Sequence, residues 1–132
     1  MRFVDKEVNA KQLSPLNLAF IGDCVYEMLV RESLVLEANR PVNDLHRESV
    51  KYVSAKAQTE AFEKIKDMLT EEETAVYKRG RNAHSPTMAK HATMADYRRA
   101  TGFEALMGYL YLKDDFGRII ELVRAGIGED QI

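Results

Sequence analysis

Two acidic residues interrupt an otherwise apolar stretch near the start of the 132-residue chain, where residues 17 to 29 read NLAFIGDCVYEML. Asp23 and Glu27 are the only charged residues between Ser14 and Val30. Their spacing of four places both carboxylates on one face of a helix, where they can share a ligand. Because an unpaired carboxylate is costly to bury, the pattern predicts a partner for these two acids.

A second apolar stretch, residues 100 to 112, contains a single acid, Glu104. Both stretches contain glycine, at Gly22 in the first and at Gly108 in the second. Glycine inside a helix costs up to about 1 kcal/mol relative to alanine, so it indicates helices that pack too closely for a side chain. We therefore expect the two helices to bring their carboxylates together in a dry core.

Carboxylates that meet in this way have two interpretations. They are oxygen ligands of the kind that Mg²⁺ accepts, with water and substrate phosphate completing the coordination shell. Alternatively, each acid is neutralised in an internal ion pair. The candidate partners for such pairs are Arg31, Arg98 and Arg99. The spacing of the acids does not decide between these interpretations.

Positive charge is concentrated in one part of the chain, although its net charge is −2. Residues 78 to 99 contain six lysine or arginine residues and one acid. Such a concentration predicts a local anion-binding surface, for which nucleic acid is the obvious ligand, whereas the alternative is a merely solvated face. The residues that we expect to contact the phosphates of such a ligand are Lys78, Arg79, Arg81 and Lys90.

Length and composition predict one domain spanning residues 1 to 132, with 45% hydrophobic residues to form its core. The single cysteine, Cys24, excludes an internal disulfide and a cysteine-rich zinc site, and it is expected to be a small buried residue. No segment has the apolar length of a membrane span or the pattern of a signal peptide. We therefore expect a cytoplasmic protein that does not associate with membranes.

The secondary-structure pattern predicts an all-α fold of about six or seven helices, because apolar residues recur at helical spacing and no alternating strand pattern occurs. Residues able to cap a helix mark the expected starts, at Ser14, Asn43 or Asp44, Ser54, Thr70, and Asp114 or Asp115. The first helix should end near Leu36, the third near Leu69 and the fourth near Gly80. Residues 80 to 92 are then a long loop of the kind that is often functional.

Four segments of the chain resemble the ribonuclease III family. LAFIGDCVYE is similar to the family signature, usually E-R-L-E-F-L-G-D, and ATGFEALMGYLYL resembles the second catalytic segment, A-D-x-x-E-A-L-x-G-x-x-Y-L. LHRESVKYVSAKAQ and YKRGRN match the intervening segments, so the resemblance covers nearly the whole chain. The match is closest to the short bacterial branch called Mini-ribonuclease III. That branch is a catalytic domain without a C-terminal double-stranded-RNA-binding domain, so the resemblance implies that such a domain is not expected here.

The resemblance implies a ribonuclease III endonuclease-type helical domain in which Asp23 and Glu104 are the essential catalytic, metal-binding acids. Three other acidic positions of the family are not acidic here, since they fall on Leu16, Ala19 and Thr101. The short branch shares the alanine and lacks the last aspartate, but the site is left short of protein ligands. We therefore expect water and phosphate to complete the metal site, and Glu27 to assist as an outer ligand.

The activity implied by the resemblance is Mg²⁺-dependent hydrolysis of double-stranded RNA, with Mn²⁺ as a substitute ion. The family works as a homodimer, and the expected substrate of this branch is precursor large-subunit (23S) ribosomal RNA. Because the first helix is apolar on more faces than a small monomer readily covers, we expect Phe20 and its neighbours to be buried in a dimer interface.

Two rival functions remain open from the sequence. One is a non-catalytic helical module that binds structured RNA and uses its acids as salt bridges in the core. The other is a helical nucleotide pyrophosphohydrolase, although such enzymes carry clustered E-x-x-E carboxylates, and this chain has three adjacent acids only at an expected helix start, residues 71 to 73.

Overall fold

The structure, a computed structural model, describes residues 1–84 and 93–129. Within these ranges it contains six α-helices and no strand, which confirms the all-α prediction. The helices are α1 (Pro15–Glu37), α2 (Val42–Val53), α3 (Ala55–Ile65), α4 (Glu71–Asn82), α5 (Met94–Leu112) and α6 (Phe116–Ile127). Short 3₁₀ turns occupy Ala10–Gln12 and Lys66–Met68. None of the described helices has the length and apolar character needed to cross a membrane.

Helix α5 forms the centre of the fold and packs against α1, α3, α4 and α6. From Ala100 to Leu110 every residue of α5 is buried except Glu104, which is partly buried. A helix that is apolar all round is stable only when its neighbours cover each face, and the other helices do so here. Glu104 is therefore the one charged group of this central segment.

The approach of α1 to α5 depends on Gly22 and Gly108. A Cβ atom added to Gly22 would lie 1.7 Å from the backbone oxygen of Glu104, and one added to Gly108 would lie 2.0 Å from that of Leu18. No side chain fits at such distances, so backbone packs directly on backbone. The predicted close contact between the two glycine-bearing helices is confirmed.

Helix α4 contacts another side of α5 through a second pair of glycines. A Cβ atom at Gly80 would lie 2.7 Å from the Cβ atom of Ala105, and one at Gly102 would lie 2.8 Å from the ring of Tyr77. Helix α5 is thus fixed on two sides by contacts that leave no room for a larger residue.

Most of the helix starts are where the sequence predicts them. The side chains of Ser14, Ser54 and Asp115 cap α1, α3 and α6, and Thr70 forms a complete capping box with Glu73 at the start of α4. Side-chain oxygens accept hydrogen bonds there from the first backbone N–H groups, which lack partners within the helix.

Three expected boundaries were wrong. Helix α2 begins at Val42 after Pro41, so Asn43 and Asp44 lie in its first turn instead of capping it. The fixed φ of proline favours this early entry, and an acid in the first turn interacts well with the helix dipole. Helix α3 ends at Ile65 and continues as the 3₁₀ turn instead of reaching Leu69, while α4 extends to Asn82.

Candidate active site

Asp23 and Glu104 come together where α1 crosses α5. Asp23 follows Gly22, the residue whose backbone contacts that of Glu104. The two carboxyl groups are close enough for the charge of Asp23 to act on Glu104. The glycine contact between the helices therefore positions two acids that are remote in sequence.

These acids lie at the edge of the helix crossing, and the expectation of a dry core was wrong. Asp23 is exposed, and Glu104 and Glu27 are partly buried. The reason is helical geometry, since consecutive residues are rotated by about 100°, so Asp23 points away from the contact that Gly22 makes. The arrangement leaves the carboxylates accessible to water, ions and phosphate.

The electrostatic environment of Glu104 disfavours its charged form. Burial, followed by repulsion from Asp23, raises the pKa of Glu104 from 4.5 to about 8. The charge of Glu27 acts weakly in the same direction, and a hydrogen bond from Gln58 opposes it. Repulsion between adjacent carboxylates is relieved when a cation lies between them, so this pair is suited to a hard divalent ion.

Glu27 forms an ion pair on the surface of α1. Its Oε2 atom lies 3.1 Å from Nη2 of Arg31, and both side chains are more than a third exposed. The interpretation in which an acid is neutralised by an arginine therefore applies to Glu27. Among the ion pairs of the described residues, none joins Asp23 or Glu104 to Arg98 or Arg99.

The position of the missing family aspartate does not supply another ligand. Thr101 is buried, and its hydroxyl donates to the backbone oxygen of Tyr97. In the part of the chain that the structure describes, no group of three or more histidine, cysteine or acidic side chains is arranged to hold a metal ion. Asp23 and Glu104 are therefore the two acids that the crossing of α1 and α5 brings together.

Gln58 is a residue of the site that the sequence analysis did not single out. Its side chain is 2% exposed, and its Nε2 atom donates to Oε2 of Glu104 at 3.3 Å and to the backbone oxygen of Val53 at 3.0 Å. Gln58 shares the buried face of α3 with Phe62 and Ile65. A glutamine at helical spacing from apolar residues was the signal available in the sequence.

Comparison with known proteins identifies the family. The family model of the Ribonuclease III domain matches residues 16–115 of the chain. The chain is 51% identical over 115 residues to Mini-ribonuclease 3 of Thermoanaerobacter sp. (strain X514), covering 87% of this chain and 81% of that one. Mini-ribonuclease 3 of Enterococcus faecalis is 50% identical over 115 residues, covering 86% of this chain and 87% of the relative. The chain belongs to the Mini-ribonuclease 3 branch of the ribonuclease III family.

A solved structure shares the fold of this chain. The crystal structure of a protein from Fusobacterium nucleatum matches with a TM-score of 0.80 and 29% identity, covering 89% of this chain and 94% of that one. Membership of the ribonuclease III family makes the chain an RNA endonuclease of a family that binds double-stranded RNA.

The basic residues of the ribonuclease III domain have different surroundings. Lys78 is exposed on α4, and Arg81 lies over the ring of Tyr77, 5.8 Å from its centre. Arg79 donates to the backbone oxygens of Lys11 and Leu13, at 3.3 and 3.2 Å, so its guanidinium also joins α4 to the segment before α1. Lys90 lies outside the described residues.

Helix α1 of this ribonuclease III domain exposes large apolar side chains. Phe20 is 80% exposed and Leu36 is 76% exposed. Leu36 and Met28 line a groove of about 930 Å³ between α1, α6 and the N-terminal segment, and Phe20 is not among its lining residues. Cys24 lines this groove and is exposed, so the expectation that it is buried was wrong.

Proposed function

We propose that the protein is a Mg²⁺-dependent endoribonuclease that hydrolyses double-stranded RNA at Asp23 and Glu104. The observation that carries this proposal is the backbone contact of Gly22 with Glu104, which brings the two acids together at an accessible edge of the helix crossing. No lysine or arginine of the described residues forms an ion pair with either acid. A site built only to stabilise the core would neutralise or separate such charges.

The donor atoms fit a hard divalent cation. Asp23 and Glu104 would hold Mg²⁺ through carboxylate oxygens, and Mn²⁺ accepts the same ligands. When bound, such an ion supplies activation of the attacking water and stabilisation of the leaving 3′ oxygen, giving 5′-phosphate and 3′-hydroxyl ends. The two side chains keep the site open to a phosphodiester because neither is fully buried.

We assign recognition of the RNA duplex to the basic residues of the chain. Double-stranded RNA is read mainly by shape, through minor-groove hydroxyls and phosphates, which requires no sequence code. We assign this role to Lys78, Arg79, Arg81 and Lys90. Lys78 and Arg79 are exposed at the C-terminal half of α4, the helix that packs on α5 beside the candidate active site.

A homodimer would place two such sites on one RNA duplex. The exposed ring of Phe20 and the apolar groove beside α1 support an isologous interface with a second copy of the chain. Each protomer would then cut one strand. We further propose that residues 1 to 132 act as a single catalytic domain and that precursor 23S ribosomal RNA is the substrate, as the resemblance to the short branch implies.

The test compares cleavage of labelled RNA duplex by the wild type, Asp23→Asn and Glu104→Gln, with Mg²⁺ or with a chelator. Each substitution removes a ligand charge at nearly constant shape, so we expect cleavage to be lost while folding, dimer formation and RNA binding persist. Glu60→Gln is the matched control, because Glu60 is an exposed acid of α3.

The outcomes separate the candidate functions. Wild-type turnover by either active-site variant would refute the site assignment. Duplex binding without cleavage by the wild type, with Mg²⁺ or Mn²⁺, would instead favour a non-catalytic RNA-binding module. Labelled single strands and nucleoside triphosphates, tested in parallel, would report a different substrate class.

A further inference from the structure

Gln58 joins the candidate metal site to the end of α2. Its amide nitrogen contacts two acceptors, the backbone oxygen of Val53 at 3.0 Å and Oε2 of Glu104 at 3.3 Å. The side chain is 2% exposed, so water does not compete for these hydrogen bonds. A buried amide with both of its N–H groups engaged has little freedom to rotate.

The orientation of this amide follows from its partners. Val53 is the last residue of α2, so its carbonyl receives no hydrogen bond from within the helix. A carbonyl oxygen can act only as an acceptor. The nitrogen must therefore face it, and the second N–H is left for the Glu104 carboxylate. The reverse orientation would place the amide oxygen against two acceptors.

The amide oxygen of Gln58 has no hydrogen-bond partner among the described residues, although it is buried. An apolar residue of similar size would avoid that loss but would leave the Val53 carbonyl without its donor. A requirement to fill space therefore does not account for a glutamine. Its two hydrogen bonds do, one to the end of α2 at Val53 and one to the candidate metal ligand Glu104.

We propose that Gln58 is a positioning residue that holds Oε2 of Glu104 and so sets the orientation of this carboxylate beside Asp23 for binding a divalent cation. The inference rests on the proposed function, since it assumes that Glu104 binds the ion. Groups that orient metal ligands from outside the coordination shell commonly change metal affinity by about 10- to 100-fold when they are removed.

Tyr26 provides a matched control for the loss of a buried hydrogen bond to the end of α2. Its hydroxyl donates to the backbone oxygen of Tyr52 at 2.9 Å, one residue before Val53 at the same end of α2. Tyr26 is as well buried as Gln58, with 1% exposure. Tyr26→Phe therefore removes a buried hydrogen bond to the same helix end without removing a donor to Glu104.

The experiment measures Mn²⁺ binding to the full chain without RNA, by electron paramagnetic resonance of the free ion. Gln58→Met should weaken binding by about 10- to 100-fold, whereas Tyr26→Phe should leave it within about twofold. In cleavage assays, Gln58→Met should require correspondingly more Mg²⁺, while its KM for the duplex stays unchanged. In the double variant, Gln58→Met should cause no loss of Mn²⁺ affinity beyond that caused by Glu104→Gln alone.

Two results would overturn the inference. Wild-type Mn²⁺ affinity in Gln58→Met would do so, as would equal weakening by Tyr26→Phe, which would assign the effect to the end of α2. If Gln58→Met does not fold, Gln58→Asn replaces it, because the shorter amide cannot reach both acceptors. Glu104→Gln is the reference: unchanged Mn²⁺ binding in that variant would refute the metal site, and with it the proposed function.

Discussion

The backbone of Gly22 contacts the backbone of Glu104, so the residue that precedes one candidate catalytic acid touches the peptide group of the other. The distance between the two carboxylates is therefore set by the approach of α1 to α5. A change at this contact should affect the fold and the site together.

Gly22→Ala tests this relationship. The added Cβ atom would lie 1.7 Å from a backbone oxygen, which no side-chain rotation relieves. We expect a loss of about 3 kcal/mol in the free energy of unfolding, the upper end for overpacked cores, together with loss of cleavage. Urea denaturation measures the first effect. Gly117→Ala is the control, because nothing lies within 4 Å of a Cβ atom there, and it should retain full stability.

A second prediction concerns the pH dependence of stability without metal. Folding raises the pKa of Glu104 from 4.5 to about 8, through burial and then the charge of Asp23. A carboxyl group whose pKa rises on folding stabilises the folded state below its unfolded pKa, and this contribution is lost as pH rises through the folded pKa. With a chelator present, the free energy of unfolding should therefore fall between pH 4.5 and 8.

Glu104→Gln supplies the comparison for that measurement. The variant has no titrating carboxyl at this position, so its urea-unfolding profile should fall less over the same pH range. Parallel profiles for the variant and the wild type would show that Glu104 is not the group responsible.

The role of Glu27 is tested by Glu27→Gln. If Glu27 accepts hydrogen bonds from water on the bound ion, the variant should require about 10- to 100-fold more Mg²⁺ for cleavage. Its stability should change by less than about 1 kcal/mol, because the ion pair with Arg31 is exposed. Arg31→Met removes the same ion pair and keeps the carboxylate. A Mg²⁺ titration of Glu27→Gln that overlays the wild-type curve would end this assignment.

The dimer prediction depends on Phe20. Sedimentation at micromolar concentration should give a dimer for the wild type and a monomer for Phe20→Ser, because the substitution removes an 80% exposed apolar ring from α1. Val50→Ser on α2 is the control, since Val50 is also apolar and 57% exposed. A wild-type monomer would contradict the interface and the paired cuts.

The basic residues of α4 should differ in what their removal changes. Lys78→Ala should weaken binding to all RNA duplexes alike and lower the slope of log affinity against log salt by about 0.9 or less. Arg79→Ala should also lower thermal stability, because its guanidinium binds the backbone oxygens of Lys11 and Leu13. Filter binding across salt concentrations, together with thermal unfolding, separates the two effects. A change restricted to one RNA sequence would argue for base recognition instead.

The sequence predicted the helix crossing well because single residue types, glycines and helix-capping side chains, indicate it. Gly22 and Gly108 could only mean a close approach inside apolar helices, and Ser14, Ser54 and Thr70 mark helix starts by their capping groups. The exposure of Asp23 was missed because it depends on how α1 rotates against α5, and hydrophobic spacing specifies that angle only coarsely.

The contacts of Gln58 and Arg79 were not predicted, for a different reason. Each joins segments that are distant in sequence, Gln58 to Glu104 and Arg79 to Lys11 and Leu13. Such contacts follow from tertiary packing, which composition and spacing do not encode in one chain. The only sign of the Gln58 contact was a polar residue within an apolar stripe. Arg79 had the sequence pattern of an ordinary surface charge.

The long separation of Asp23 and Glu104 along the chain links cation binding to the order of folding. Helices α2, α3 and α4 lie between the two acids in sequence, so their meeting requires closure of a large loop. Contacts of this kind form slowly and only when the central helix is covered by its neighbours. A partly folded chain therefore has no cation site to offer. An ion that binds only the completed fold adds to its stability by mass action, so Mg²⁺ at the proposed site would also raise the free energy of unfolding.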